Sequence, residues 1–391
     1  RDYIRRTGLM PAGRVDTDVV AQTLGIDVAQ AYAADLETAA AGQAYAGLPM
    51  DHVASAARGA VSPEQGQDQN FVSAIHRDAA DLSLTQRRED PGGFALRHGL
   101  MRTPDVGLVT LVQTAAGARD PEQQRQLMDA FQQVFRARSA DATELHRTGV
   151  LPRVSPLSRD EARAMSSWLQ GLPRQARLGF FSQTQANMNH EAYMAMMGQL
   201  ASEGAPVIAY AGARFADNPQ VAERLLRGVE VLQGGPPSDE AGQRSPLVQM
   251  PSDNDLRAAF NEEVRDAYRA IPNAAGPTFE AFRAYYAAET EREGVSSLPE
   301  LVNPDRAHAA AGAATGGLID WNGHRTVMPA RMRASDFEGA VRQAFQTHQS
   351  LAGQDPRHYT LTITNDGRYL VEGERDQNQN PLVIQILRPR R

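Results

Sequence analysis

Apolar positions along the chain recur mostly at three- and four-residue spacing, the period of a helix face. Ala-rich segments run over residues 28–41 and 70–88, and Ile75, Ala79 and Leu82 of the second fall on one face. Gly47, Pro49 and the polar stretch 62–68 separate the two, and that stretch reads as an exposed linker. Asp90, Pro91, Gly92 and Gly93 then read as a break, because proline lacks a donor and paired glycines favour a turn.

Beyond the break, residues 121–146 read as one long helix: Pro121 suits its first position, and Leu127, Phe131, Val134 and Phe135 repeat along one face. Ser158 followed by Glu161 is a capping box, with Met165, Trp168 and Leu169 as the buried stripe behind it. Further helices are predicted over 173–185, 189–202, 218–232, 253–270 and 279–293, and 205–213 reads as a short buried helix or strand.

The last quarter changes period. Leu318 to Trp321, then Asn322-Gly323, then His324 to Met328 is a hairpin signature, since Asn-Gly tolerates the positive φ of a type I′ turn. Ser335 with Glu338 reads as a second capping box, opening a helix that carries Phe337, Val341 and Phe345. Tyr359, Leu361 and Ile363, then Asp366-Gly367, then Tyr369 and Val371, then Leu382, Ile384 and Ile386 alternate with period two, which predicts a three-stranded antiparallel meander. The expected fold class is therefore mainly α: a multi-helix bundle or solenoid-like body with a small C-terminal α+β domain. The expected divisions are a helical segment over residues 1–92, continuing from a longer chain, a helical body over 93–314 and the α+β domain over 315–391. Arg1, in place of Met, reads as a processing site or the edge of an excised portion.

Composition sharpens this picture by exclusion. The 391 residues hold 41% hydrophobic but only 6% aromatic side chains, a balance that suits Ala-faced helix packing. There is no Cys, hence no disulfide framework, thiolate metal site or cysteine nucleophile. No apolar run is long enough to span a bilayer, and the mean hydropathy is -0.46. Lys+Arg total 40 against 47 Asp+Glu, a net charge of -7, the wrong sign for a protein held on duplex DNA by phosphate contacts. Every one of those 40 cations is Arg. A GC-rich genome accounts for that; selection for bidentate contacts at subunit interfaces is the sharper alternative. The basic termini, Arg5-Arg6 and Arg388 to Arg391, read as solvated ends.

Candidate chemistry is sparse. No serine-hydrolase elbow occurs, and a phosphate loop ending in Gly-Lys is impossible without Lys. His190-Glu191 starts a helical zinc motif, but the position four after His190 is Met194, so no metal site is expected. Glu144 with His146 and Asp305 with His308 place a carboxylate near an imidazole, pairs that arise by chance among 9 His, and Glu262-Glu263 and the series Glu289, Glu291, Glu293 could serve acid/base work if buried, though their polar neighbours favour a solvated helix face. No catalytic residue, cofactor or metal is assigned. The most distinctive grouping is Met188, Tyr193, Met194 and Met197, with Met196 among them. With Trp321 beside its turn, these form the candidate interaction surface: a plastic partner-binding or lipid-facing stripe, against the default of core packing.

The blocks Phe94-Ala-Leu-Arg-His-Gly-Leu, Pro156-Leu-Ser-Arg-Asp-Glu-Ala, Gln199-Leu-Ala-Ser-Glu-Gly-Ala-Pro-Val-Ile-Ala, Ala216-Asp-Asn-Pro-Gln-Val-Ala and Gly316-Gly-Leu-Ile-Asp-Trp-Asn-Gly carry a resemblance. Over residues 70–391 the chain resembles the C-terminal region of large internal virion proteins of tailed phages and prophages, the DNA-ejection and transglycosylase-associated type. The resemblance implies a viral structural protein packaged in the phage particle, which leaves with the genome, assembles as a homo-oligomer with other ejection proteins, and makes transient contact with the host envelope. The charge balance and the lack of a long apolar run, read above, add the expectation of no sequence-specific nucleic-acid partner and no transmembrane helix. Longer members carry a lytic module whose Glu-Ser pair and downstream Gly-Leu-Met-Gln have no match here; Gly8-Leu9-Met10 is followed by Pro11. The expected function is thus non-enzymatic, by assembly into or alongside a genome-delivery conduit. The competing readings are a peptidoglycan lytic transglycosylase or its accessory region, and a fixed scaffold or tail protein.

Overall fold

The computed structural model describes residues 15–47, 69–103, 106–118, 120–215, 218–234, 248–269, 272–294, 301–329, 332–364, 368–376 and 379–386. Among these are fifteen α-helices and five short strands, so the fold is mainly α with small antiparallel sheets near the C-terminus. The chain divides into two units, residues 1–111 with 133–161, and residues 112–132 with 162–391. The linker expected at 62–68, the turn at Asp366-Gly367 and both arginine-rich termini lie outside the described residues.

In the first unit, α1 (Thr17–Leu24) packs on α2 (Ile26–Tyr45), and α2 on α3 (Gln69–Glu89). Val72 and Ile75 of α3 bury against Ala41 and Tyr45. The break expected at Asp90 to Gly93 is instead the start of a helix, α4 (Pro91–Arg97). Asp90 accepts the Gly93 N–H at 3.0 Å, which turns an apparent stop into an N-cap followed by proline at the first position. Gly92 is required for a different reason. A Cβ there would run into the Leu157 carbonyl, so only glycine admits that close backbone approach.

The helix α5 (Leu108–Gly117) is followed by α6 (Pro121–Arg147), which contributes residues to both units. At the start of α7 (Arg159–Gly171) the capping box forms as the spacing predicts. Ser158 Oγ accepts the Glu161 N–H at 3.2 Å, and Glu161 accepts the Ser158 N–H at 2.9 Å.

In the second unit, α8 (Arg174–Asn187), α9 (His190–Ser202), α10 (Pro206–Phe215), α11 (Pro219–Gln233), α12 (Asp253–Val264), α13 (Pro272–Arg292) and α14 (Pro304–Thr315) follow in sequence. An aromatic chain runs from Phe131 through Trp168, Phe180 and Phe181 to Phe215, with successive ring centroids 5.2, 5.7, 6.1 and 6.2 Å apart. Phe260, Phe279, Phe282 and Tyr286 make a second aromatic group. Helix α11 lies so close to α13 that a Cβ on Gly228 would overlap the Ala284 carbonyl. The helix expected over 253–270 stops at Val264, because Arg265 takes a φ of 44° and leaves helical backbone. The helix expected from Phe279 starts earlier, at Pro272. It continues through Pro277 because Phe279, Phe282, Ala284, Tyr285 and Tyr286 bury a face large enough to outweigh one missing backbone hydrogen bond.

The C-terminal part has its own core. Strands β1 (Leu318–Trp321) and β2 (His324–Val327) pair around Asn322 and Gly323, whose φ values of 53° and 79° are those of the expected hairpin turn. Helix α15 (Ala334–Thr347) follows. Its expected Ser335/Glu338 box is absent: the helix starts two residues early, Arg333 sits at the cap, and Glu338 pairs with Arg342 and Arg357 instead. Strands β3 (Leu361–Ile363), β4 (Tyr369–Arg375) and β5 (Pro381–Ile384) form the expected antiparallel meander. The two sheets are joined through side chains. Tyr369 O–H donates to the Val327 carbonyl at 2.8 Å, and the Thr326 hydroxyl donates to the Leu361 carbonyl.

Candidate functional site

The five residues read as an interaction surface do not share an exposed face. Helix α9 is capped by Asn189, whose Oδ1 accepts the Ala192 N–H at 2.8 Å. That start turns Tyr193, Met196 and Met197 inward, and Met188 is buried just before it. Only Met194 of the group reaches solvent, at 37% exposure. The Tyr193 hydroxyl donates to the Gly212 carbonyl of α10 at 2.8 Å, and burial pushes its ionisation well above the usual tyrosine range. Trp321 is also internal: its Nε1–H donates to the Tyr359 carbonyl at 3.0 Å and its ring meets Phe337 edge-on at 5.7 Å. Four of the five therefore fill cores, with methionine serving as an adaptable filler.

Five of the candidate carboxylates, Glu144, Glu263, Glu289, Glu291 and Glu293, are engaged rather than poised. Glu289 is met by Arg224 at 2.9 Å and Arg292 at 2.6 Å, Glu291 by Arg227, and Glu293 by Arg306 at 2.6 Å. These arginines tie α11, α13 and α14 to one another, and Arg306 also lies over the Tyr286 ring. Glu144 pairs with Arg147, not His146, and a hydrogen bond from that arginine holds its carboxyl below the usual glutamate range. His146 Nδ1 lies 3.2 Å from the Leu151 carbonyl. His308 meets Glu263 at 2.9 Å rather than Asp305.

Burial alone would raise Asp266. Hydrogen bonds from His324 and from backbone N–H groups, with the His324 charge, outweigh it and hold the carboxyl below its usual range. Asp141 behaves likewise, its burial outweighed by Arg102 and Arg138. A general acid needs the opposite shift. Among the described residues, no group of three or more His, Asp or Glu side chains is placed to hold a metal ion. No described helix is long and apolar enough to cross a membrane.

One feature that the period analysis passed over lies at the start of the described chain. Among the described residues nine large hydrophobic side chains are exposed, and five of them fall within 15–28: Val15 just before the Asp16 cap, Val19 and Leu24 in α1, and Ile26 and Val28 in the first turn of α2. Their exposures run from 45% to 68%. The sequence held a signal for this: Val15 and Val19 stand four apart, and no basic residue occurs between positions 15 and 45. The chain matches no family model, no curated protein and no solved structure.

Proposed function

We propose that this chain is a non-enzymatic internal virion protein of the phage DNA-ejection type, acting by assembly with its own copies and other ejection proteins. The observation that carries assembly with other proteins is the concentration of exposed apolar side chains over residues 15–28, since gathered exposed apolar surface marks interaction sites. The block resemblance supplies the virion setting. Two further features support a non-catalytic role: the glutamates that glycoside chemistry would need are clamped by arginines, and the shifted carboxylates Asp141, Glu144, Asp266 and Glu338 all move downward. The net charge of -7 would discourage adhesion of passing DNA.

Quantitative peptide mass spectrometry of intact virions and of particles emptied by triggered genome release tests the proposal. Presence before release and loss after it is the expected result. Retention would make the chain a fixed structural part, and absence from both would discard the virion reading. Clearing of purified cell walls by this chain alone would overturn the non-enzymatic reading.

A further inference from the structure

We propose that the exposed apolar corner formed by α1 and the first turn of α2 docks a basic amphipathic helix of a partner protein. This deepens the assembly reading and rests on it.

The corner contributes little to its own unit. Along α1 only Val20 is buried, and α2 buries Ala29 and then Thr38, Ala39 and Gly42, so packing strengthens toward the C-terminal half of α2. Val15, Val19, Leu24, Ile26 and Val28 are thus not needed for that core.

Charge selects the occupant. Every charged side chain from residue 15 to 45 is acidic: Asp16, Asp18, Asp27, Asp35 and Glu37, all exposed. In a chain with 40 arginines among 391 residues, this segment has none. A second copy set face to face would oppose like charges, and anionic lipid or nucleic acid would be repelled for the same reason. A helix presenting Leu or Ile along one side and Arg or Lys along its flanks satisfies both parts of the surface.

The test is fluorescence anisotropy of the full chain with a labelled Leu/Arg heptad peptide, beside the same peptide carrying Glu for Arg. Saturable, salt-sensitive binding of the Leu/Arg peptide is expected, with none for the Leu/Glu peptide. Val19→Ser with Ile26→Ser should weaken binding about tenfold or more. Asp18→Asn with Asp27→Asn should weaken it and flatten its salt dependence. These positions are exposed, and circular dichroism checks that the variants keep their helix content. Absence of binding, equal binding of both peptides, or unchanged affinity in Val19→Ser/Ile26→Ser overturns the proposal. So does a dimer in sedimentation velocity that Val19→Ser/Ile26→Ser dissociates, which would make the occupant a second copy. Presence in virions and loss on genome release are read without this face, so failure here and failure of the virion reading are separable.

Discussion

Arg138 and Glu161 meet as a two-pronged ion pair inside the protein, Nη1 to Oε2 at 2.7 Å and Nη2 to Oε1 at 2.9 Å, with the arginine side chain only 1% exposed. The same glutamate completes the capping box of α7, so one carboxylate both starts a helix and neutralises a buried cation. Removing either partner strands the other, and Arg138→Ala or Glu161→Ala is expected to cost about 3–5 kcal/mol in urea unfolding. The paired change Arg138→Met/Glu161→Leu should recover most of that loss. Near-zero cost of both single changes would show that the pair contributes no stability.

Close approach of α11 to α13 makes a second prediction. Gly228→Ala pushes a methyl group into the Ala284 carbonyl, and the helices must separate or bend, at an expected cost of about 1–3 kcal/mol. Gly179, in α8 with open space around its Cα, is the control: alanine there should be neutral or slightly stabilising. Thermal unfolding of the two variants, compared directly, checks the contrast.

These positions show where sequence reading succeeds and where it stops. The Asn322-Gly323 hairpin and the Ser158/Glu161 box were legible because each is a local device whose geometry follows from residues a few positions apart. Asp90 to Gly93 misled because Gly92 answers to Leu157, more than sixty residues away, and not to its neighbours. Ser335 misled because Arg342 and Arg357 hold the Glu338 carboxylate that a box would use, while the helix starts at Ala334. The methionine grouping was conspicuous, yet nothing in spacing alone distinguished an outward stripe from an inward one. The exposed corner at α1 leaves little trace in the sequence because periodicity marks buried faces and says little about unpartnered apolar side chains.

The methionine helix allows a direct comparison. Tyr193→Phe leaves the Gly212 carbonyl without its donor and is expected to cost about 1–3 kcal/mol. Met194→Ser, on the outer side of the same helix, should change stability by no more than about 0.5 kcal/mol. Equal losses in urea unfolding would contradict the burial pattern.

Asp266 gives an acid dependence with a defined sign. Its carboxyl is held below the ordinary 3.8 in the folded protein, so its contribution is present above that value and fades as pH falls below it. Wild type and Asp266→Asn should therefore differ in stability near neutral pH and converge toward pH 2–3. A gap that stays constant down to that range would remove the His324–Asp266 contact as its source.

The clamp of Arg224, Arg227, Arg292 and Arg306 on Glu289, Glu291 and Glu293 has a physiological consequence. A lysine-based clamp would lose its cations near pH 10, whereas guanidinium groups keep theirs at any pH a folded protein meets. Alkalinity therefore leaves this latch closed, and ionic strength is the variable that loosens its outer arms.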